Sequence, residues 1–174
     1  MIGVADPVVR VATARDAAAL AELAEFTFRD TFASSNTEAN MQLHCSRTYG
    51  PAIQAAEIAD PRRTTFVADA DGKLVGYGQL RWNGTPSLAA ARPAEIHRIY
   101  VERSWHGRGV AQALMARLLA TAREGGADRV WLGVWERNAR ARAFYRKAGF
   151  AEIGDHAFVL GDETQRDLVL ARVP

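Results

Sequence analysis

Several features that define other protein classes are scarce in this sequence or missing from it. Cys45 is the only cysteine, which excludes an intrachain disulfide and metal sites built from clustered cysteines. No apolar run approaches the ~20 residues needed to span a bilayer. The segment from Met1 to Arg10 lacks the basic and apolar regions of a secretory signal. We therefore expect a protein of the reducing cytoplasm that binds neither a membrane nor a structural metal.

The charge balance also restricts the partners of the chain. The formal net charge is +2 and the isoelectric point is near 9.0. This excess is compatible with a polyanionic small ligand but is too weak to predict nucleic-acid binding. With 174 residues, 48% of them hydrophobic, the chain is expected to form a single domain, 1–174, with a real core.

Periodicity and turn residues predict a mixed α/β order along the chain. We expect strands over 8–12, 64–70, 74–82, 95–101, 129–135, 150–160 and 167–171. Helices are expected over about 13–32, 38–48, the segment after Pro51, 112–123 and 138–149. Asp71-Gly72 predicts a hairpin turn between two of the strands. The order is typical of a mixed sheet with helices packed against it.

The most informative segment runs from Arg98 to Ala111. An apolar strand leads into a loop containing Gly107 and Gly109, and the loop opens onto a helix. Such a junction gathers unpaired N–H groups at the positive end of a helix dipole, where phosphate binds well. Neither common nucleotide motif is present, because Gln112 stands where Gly-x-Gly-x-x-Gly needs its third glycine and no Gly-Lys-Ser/Thr follows. A phosphate-bearing small ligand is the first expectation.

A second segment, Asn138 to Phe150, reads Asn-Ala-Arg-Ala-Arg-Ala-Phe-Tyr-Arg-Lys-Ala-Gly-Phe. Together with the His106 to Ala111 loop about 30 residues earlier, it resembles the two signatures of the GNAT superfamily of N-acetyltransferases. His106 stands where that family usually has Gln or Arg. The resemblance implies the GNAT acyl-CoA N-acyltransferase fold, a central mixed sheet with two splayed parallel strands flanked by helices.

Further stretches resemble one subgroup, the PaiA-type spermidine/spermine N-acetyltransferases. They are Thr27 to Phe32, Glu95 to Val101, Trp131 to Asn138, and the tail from His156 to Leu168. The matches span most of the chain. They are more specific for the subgroup's structure than for its acceptor.

The resemblance implies that acetyl-CoA lies between strands 95–101 and 129–135. Backbone groups of Ile99, Tyr100 and Val101 would bind the pantetheine arm, and an N–H there would polarise the thioester carbonyl, as an oxyanion hole does. The pyrophosphate would be cradled by the loop and helix start, His106, Gly107, Arg108, Gly109, Val110, Ala111 and Gln112.

Asn138 and Tyr145 are seven residues apart, so they share one face of a helix. The resemblance implies that the Asn138 amide contacts pantetheine and that Tyr145 protonates the departing thiolate as general acid. Plain capping by Asn138 and packing by Tyr145 are the alternatives. Arginines could meet the CoA phosphates or simply line a solvated face. They are Arg103, Arg108, Arg140, Arg142 and Arg146, of which Arg142 lies one turn past Asn138.

An amine acceptor must lose a proton before it attacks, so a base or a water relay is needed at neutral pH. Glu95 and His97 are the candidates, because strand alternation would place both on the face of Ile99 and Val101. A solvated strand end for Glu95 and a packing role for His97 are the alternatives. Residues in the region where this fold usually builds its acceptor pocket are Phe28, Asp30, Phe32, Asn36 and Trp135.

The predicted activity is acetyl transfer from acetyl-CoA to a primary amine by direct attack in a ternary complex, with a polyamine as acceptor. The alternative acceptors are another small amine and a protein amine. The alternative to an enzyme is a non-catalytic acyl-CoA-sensing module on the same fold. A homodimer is expected by resemblance only.

Overall fold

The computed structural model describes residues 6–174. The strands are β1 (Val8–Val11), β2 (Arg63–Ala70), β3 (Lys73–Arg81), β4 (Pro93–Val101), β5 (Arg129–Trp135), β6 (Ala151–Leu160) and β7 (Glu163–Arg172). The helices are α1 (Ala17–Phe32), α2 (Glu38–Thr48), α3 (Pro51–Ala59), α4 (Val110–Glu124) and α5 (Ala139–Lys147). Residues 1–5, part of the segment inspected for a secretory signal, lie outside the described residues.

The seven strands form one mixed sheet in the order β1-β2-β3-β4-β5-β7-β6. All neighbouring strands are antiparallel except β4 and β5, which are parallel. The predicted α/β class with a mixed sheet is confirmed. Within residues 6–174, no helix is both long and apolar enough to cross a membrane.

Local signals account for where several elements begin. The Thr37 hydroxyl accepts a hydrogen bond of 3.2 Å from the N–H of Asn40 and caps α2, as predicted. Pro51 is the first residue of α3, where its missing N–H costs nothing. The turn between β2 and β3 uses Asp71 and Gly72, with φ angles of 52° and 87°. Two successive positive φ angles are the requirement of a tight hairpin turn, which Asp-Gly meets.

The core lies on both faces of the sheet. Phe66 and Val67 are neighbours on β2 but belong to different apolar clusters, so the clusters lie on opposite faces. On one face α4 buries Leu114 and Leu118 completely, each contributing roughly 1.5–3 kcal/mol by leaving water. On the other face α1 buries Phe28. We call these two sides the α4 face and the α1 face.

The two parallel strands diverge after a short start. Pro93 to Glu95 on β4 pair with Arg129 to Trp131 on β5, and the register ends there. Beyond it β5 continues to Trp135 against β7, while β4 continues to Val101 against β3. The sheet therefore opens into a V between β4 and β5, as the resemblance implied.

A β-bulge at His97 changes which residues of β4 share a face. Gln79 pairs with Arg98 and Leu80 pairs with Ile96, which leaves His97 without a partner on β3. Alternation is interrupted at that point, so Ile99 packs on the α4 face while His97 points to the α1 face, where it contacts Gln79.

The expectation that strand alternation carries Glu95 and His97 on the face of Ile99 and Val101 is therefore wrong. The inserted residue moves both of the later side chains to the opposite side of the sheet.

The final strand is longer than predicted. The sequence indicates a strand over 167–171, whereas β7 runs from Glu163 to Arg172. Its first four residues are polar and carry little hydrophobic signal. They extend as a strand because β6 pairs with them as far as Leu160, opposite Glu163. Asp167, the first residue of the predicted strand, lies opposite Trp135 of β5 at the open end of the V.

Candidate active site

A cavity of about 320 Å³ fills the V between β4 and β5. It is lined mainly by α1, β4, the end of β5, the start of α4 with its preceding loop, and α5. Gln165 and Asp167 of β7 and Phe158 of β6 also line it. Because β4 has no partner on β5 beyond Glu95, its backbone groups from Ile96 onward face the cavity without ladder hydrogen bonds on that side.

The loop before α4 forms one end of the cavity. Gly107 and Gly109 have φ angles of 75° and 81°, a conformation that a side chain disfavours. Ala113 is the first residue of α4 whose N–H reaches a backbone acceptor, the carbonyl of Gly109 at 2.9 Å. Among residues 6–174, the N–H groups of Val110 to Gln112 therefore have no backbone acceptor. They form an anion-binding end of the kind that pyrophosphate requires.

His106 connects this loop to β4 and to α5. Its Nε2 donates to the carbonyl of Val101 at 2.8 Å, so the neutral ring presents Nδ1 as an acceptor. Arg140 of α5 donates to that ring. His106 thus fastens the end of β4 and places a guanidinium at the mouth of the cavity, two tasks that its type of side chain can perform together.

Asn138 and Tyr145 both line the cavity from α5. Asn138 Oδ1 accepts from the N–H of Ala141 at 3.1 Å, so the residue is also the helix cap. Tyr145 packs edge-on against Phe144 and Phe150. Burial, with a smaller contribution from Tyr100, raises the pKa of the Tyr145 phenol well above its ordinary value. The hydroxyl is therefore protonated at neutral pH and available as a proton donor.

Glu95 lies outside the cavity wall. Glu95 is 5% exposed. Its carboxylate accepts hydrogen bonds from Arg81 Nη2 at 3.0 Å and from Asn83 Nδ2 at 2.9 Å. Both partners belong to the β3 end and the loop after it. The contacts tie the start of β4 to β3 at the last residue before the V opens.

His97 lines the cavity, and its tautomer follows from its partners. Gln79 Nε2 donates to Glu57 at 3.2 Å, while Gln79 Oε1 accepts from Arg63 at 3.0 Å. His97 Nδ1, 2.9 Å from the same oxygen, must therefore carry the hydrogen. Burial lowers the pKa of His97 to about 2, with Arg98, Arg81 and Arg63 acting in the same direction. The ring is neutral and has a free lone pair on Nε2.

Aromatic rings form the other end of the cavity. Phe32 lies 5.7 Å from Trp135 and 4.6 Å from Phe28, measured between ring centroids. Tyr100 lies 6.5 Å from Phe28 and stacks on the buried Tyr77 of β3. Asp30 lines the same wall from α1. An apolar, aromatic end with a carboxylate suits the cationic end of an amine.

Asp167 lines the cavity too, although no local signal in the sequence distinguishes it. Its side chain is 13% exposed and lies 4.0 Å from His156 Nε2. Burial raises its pKa to about 6, and His156 opposes this rise. Only the pairing of β7 with β5 brings Asp167 here, and this long-range pairing could not be found from the residues around it.

The structure brings together most of the predicted site residues. Those that line the cavity are Phe28, Asp30, Phe32, His97, Ile99, Tyr100, Val101, His106, Gly107, Val110, Ala111, Gln112, Trp135, Asn138 and Tyr145. The other predicted residues, Asn36, Glu95, Arg108, Gly109 and Arg142, are not among the lining residues. Arg142 Nη1 donates to the carbonyl of Glu136 at 3.0 Å, Arg108 stacks over Trp105, and Asn36 accepts from Gln165 at 2.6 Å.

These features fit acetyl-CoA. The free N–H groups at the start of α4 provide an anion site, and the unpaired edge of β4 provides backbone hydrogen bonds for an amide-containing arm. Tyr145 and the aromatic rings line the same cavity. The cavity thus has separate places for a phosphate-bearing donor and for an acceptor.

Comparison with known proteins agrees with this geometry. An uncharacterised N-acetyltransferase of Mycobacterium tuberculosis is 42% identical over 118 residues, which are 68% of this chain and 72% of that protein. Another, from Lactobacillus delbrueckii subsp. lactis, is 33% identical over 147 residues, 84% of this chain and 85% of that protein. A similar fold is found in the crystal structure of PaiA N-acetyltransferase from Thermoplasma acidophilum in complex with coenzyme A, with a TM-score of 0.79. The two sequences are 18% identical, and the match covers 98% of this chain and all of that one.

The acetyltransferase (GNAT) family matches residues 19–150. This match covers the V, the glycine loop and α5, and it leaves out the lining residues Phe158, Gln165 and Asp167. The chain belongs to the GNAT family, and it is an acetyl-CoA-dependent N-acetyltransferase.

Proposed function

We propose that the enzyme transfers acetyl from acetyl-CoA to a primary amine of the polyamine type, by direct attack in a ternary complex. The observation that carries the proposal is the continuous cavity, which runs from the free N–H groups of α4 to an aromatic end and which Asp30 and Asp167 both line. Both substrates can occupy such a cavity together, so no covalent acetyl-enzyme is needed. The only cysteine, Cys45, is buried in the core away from the cavity.

In this proposal acetyl-CoA is held mainly by the backbone. The N–H groups from Gly107 to Gln112 contact the pyrophosphate, and Arg140, fastened by His106, adds positive charge at the mouth. The exposed edge of β4 from Ile99 to Val101 contacts the pantetheine arm. Asn138 contributes its amide from the other side of the V, and this role is compatible with its capping bond, which uses only Oδ1.

Tyr145 is the proposed general acid. Tyr145 lines the cavity from α5, and its raised pKa keeps the proton on the hydroxyl until a thiolate forms beside it. Bound acetyl-CoA supplies an activated thioester. The contribution of Tyr145 is to neutralise the sulfur as the carbon–sulfur bond breaks.

The contacts of the two predicted bases favour different roles. Glu95 is held by Arg81 and Asn83 outside the cavity, so we propose that it fixes the point where the V opens. His97 offers an unprotonated Nε2 to the cavity, but three arginines and burial make it a weak base. We propose that His97 accepts a hydrogen bond from the amine and orients it, without holding its proton.

A polyamine fits the cavity because the cavity lining combines aromatic faces with two carboxylates. Phe32 and Trp135 can face an ammonium or the methylenes next to it. Asp30 and Asp167 provide separate negative charges for two amino groups. A monoamine would use only one of them. We therefore expect a preference for spermidine or spermine over a monoamine of matched length.

The test is the release of free CoA thiol across a panel of amines. The panel contains spermidine, spermine, a monoamine of the same length, an amino-acid amide and a short peptide with a free N-terminus. Turnover with the polyamines at the lowest KM supports the proposal. Turnover confined to the peptide or the amide would move the acceptor to another class. Tight acetyl-CoA binding without turnover of any amine would support an acyl-CoA-sensing role instead.

The Asp30→Asn variant sharpens this test. Removing one of the two carboxylates should raise the KM for spermidine severalfold and leave the KM for the matched monoamine nearly unchanged, because the monoamine has no second charge to place. An equal change in KM for both amines would mean that Asp30 does not bind a second ammonium group.

A further inference from the structure

One carboxylate in the cavity has no partner that explains its burial. Asp167 is on β7, opposite Trp135 of β5, and its side chain is 13% exposed. Within residues 6–174, the ionisable group that pairs with Asp167 is the imidazole of His156 on β6. The distance from His156 Nε2 to Asp167 Oδ2 is 4.0 Å, which is too long for a hydrogen bond. A carboxylate that is largely buried and has no hydrogen bond from the described residues is costly for a fold to keep.

The backbone of β5 is shaped to admit this carboxylate. Gly133 lies beside it, and a Cβ built on Gly133 would be 3.3 Å from Asp167 Oδ2 and 3.0 Å from His156 Nε2. Both contacts are tighter than ordinary side-chain contacts, so the glycine leaves the space in which the two groups lie. Gly133 itself lines the cavity. Asp167 therefore occupies the space that Gly133 leaves beside β5, and it lines the cavity.

The groups that face Asp167 come from every neighbouring element. His156 contacts it from β6, and Tyr100 is close enough on β4 for Asp167 to raise the pKa of that phenol further. On β5 the neighbours are Gly133 and Trp135, which carry no charge. The other cavity groups that can carry charge are Asp30 of α1, His97 and Arg98 of β4, His106 before α4, and Arg140 of α5. Arg98 is paired with Glu57 at 2.7 Å. No strong cation in this set pairs with Asp167.

We propose that Asp167 is the catalytic base that takes the proton from the acceptor ammonium. The proposal rests on the proposed amine acetyltransfer. It assigns a step for which Glu95 lies outside the cavity and His97 is too weak a base. An ammonium that enters the aromatic end would find its counter-charge at Asp167. Burial holds the pKa of this carboxyl near 6, high enough to accept a proton and low enough to be ionised at neutral pH.

The protons balance in the following way. The ammonium gives one proton to Asp167, and the neutral nitrogen then forms a bond to the acetyl carbon as the carbon–sulfur bond breaks. Tyr145 gives its proton to the sulfur and recovers one from the nitrogen, which becomes an amide. Asp167 releases its proton to solvent, with His156, whose side chain is 35% exposed, on the outer side of the carboxylate. The net products are the N-acetyl amine, CoA thiol and one proton.

The first experiment compares the wild type with Asp167→Asn over pH 5 to 9.5, at saturating acetyl-CoA. For the wild type, kcat with spermidine should have an acidic limb near pH 6. For the variant, kcat at pH 7 should fall by roughly 100-fold or more, as expected for a lost general base. Its rate should then rise about tenfold per pH unit toward the pKa of the amine, near ~10.4, because only the free amine can react.

A weakly basic amine separates a lost base from a damaged site. A primary amine with a pKa of about 6 is already neutral at pH 7.5, so it needs no base. Asp167→Asn should retain this activity to within about threefold. Asp155→Asn is the matched control, since Asp155 lies on β6 and pairs with Arg166 at the surface. It should leave both reactions unchanged.

His156→Gln provides a test that keeps the carboxylate. Protonated His156 lowers the pKa of Asp167, so removing the imidazole should raise that pKa and move the acidic limb to higher pH by several tenths of a unit. A packing role alone would not move the limb.

The outcomes are distinguishable. No turnover of any amine by the wild type would overturn the proposed function itself. Normal wild-type turnover, with an unchanged pH profile in Asp167→Asn and in His156→Gln, would overturn the assignment of Asp167 and leave the proposed function standing. Loss of the weakly basic amine's reaction in Asp167→Asn, with no shift in His156→Gln, would also overturn the assignment, because both results indicate a structural role.

Discussion

Gln79 Oε1 lies 2.9 Å from Nδ1 of His97 and fixes which nitrogen of that ring faces the cavity. The amide itself is held in one orientation by Glu57 on its nitrogen and Arg63 on its oxygen. The side chain of Gln79 is 1% exposed. A buried amide with donors and acceptors all satisfied is a strong constraint on the bulge of β4 beside it.

We expect Gln79→Met to destabilise the fold by about 2–4 kcal/mol. The substitution preserves volume but leaves several buried polar partners unsatisfied. Denaturant unfolding would measure the loss. Gln42→Met is the matched control, because Gln42 is exposed on α2 and its side chain accepts a hydrogen bond from Arg29 at 2.9 Å. Its effect should remain within about 0.5 kcal/mol. Equal stability of the two variants would show that the network does not hold the bulge.

Tyr145→Phe should lower kcat at least tenfold and leave acetyl-CoA affinity nearly unchanged. The ring remains packed between Phe144 and Phe150, so only the hydroxyl proton is lost. Steady-state kinetics and calorimetric binding of acetyl-CoA would separate the two effects. A kcat equal to that of the wild type would remove Tyr145 as general acid.

Glu95→Gln separates a base from a structural carboxylate. Because the carboxylate of Glu95 is buried and paired with Arg81, the variant should lose about 1–3 kcal/mol of stability. The shape of its pH–rate profile should stay that of the wild type. If Glu95 were the base, activity would instead fall most at neutral pH and the acidic limb would disappear.

The carboxyl of Asp167 should also make the free energy of unfolding depend on pH. The direction of this dependence is opposite to that of most ion-paired carboxylates. Its pKa in the folded protein, about 6, lies above the ordinary value of 3.8. The folded state therefore binds the proton more tightly, and stability falls as the pH rises from about 4 to 6. Two pKa units correspond to roughly 3 kcal/mol as an upper limit.

It follows that Asp167→Asn should be more stable than the wild type at pH 7.5, by about 1–3 kcal/mol, and indistinguishable from it at pH 4. Thermal unfolding at the two pH values would measure this difference. A variant that is less stable at pH 7.5 would mean that the carboxylate contributes favourable contacts, in conflict with its lack of hydrogen bonds. Gain of stability with loss of activity is typical of a residue kept for function.

Local residues were sufficient to predict the elements whose ends are set by their own chemistry. Thr37 caps α2, Asp71-Gly72 closes the hairpin, and Asn138 caps α5, because each interaction spans only a few residues. The same is true of the glycine loop, whose strand–loop–helix pattern predicted an anion site at the start of α4. The α/β class followed from the order of these elements.

The sequence by itself therefore determined the elements, the family resemblance and the donor side of the cavity. The tertiary structure decided the acceptor side. The bulge at His97 depends on how β4 registers against β3, and it turns Glu95 and His97 away from the face of Ile99. Asp167 reaches the cavity only because β7 inserts between β5 and β6. Strand register is set by contacts between distant segments, and a shift of one residue moves every side chain of the strand to the other face. Local sequence patterns therefore do not predict it.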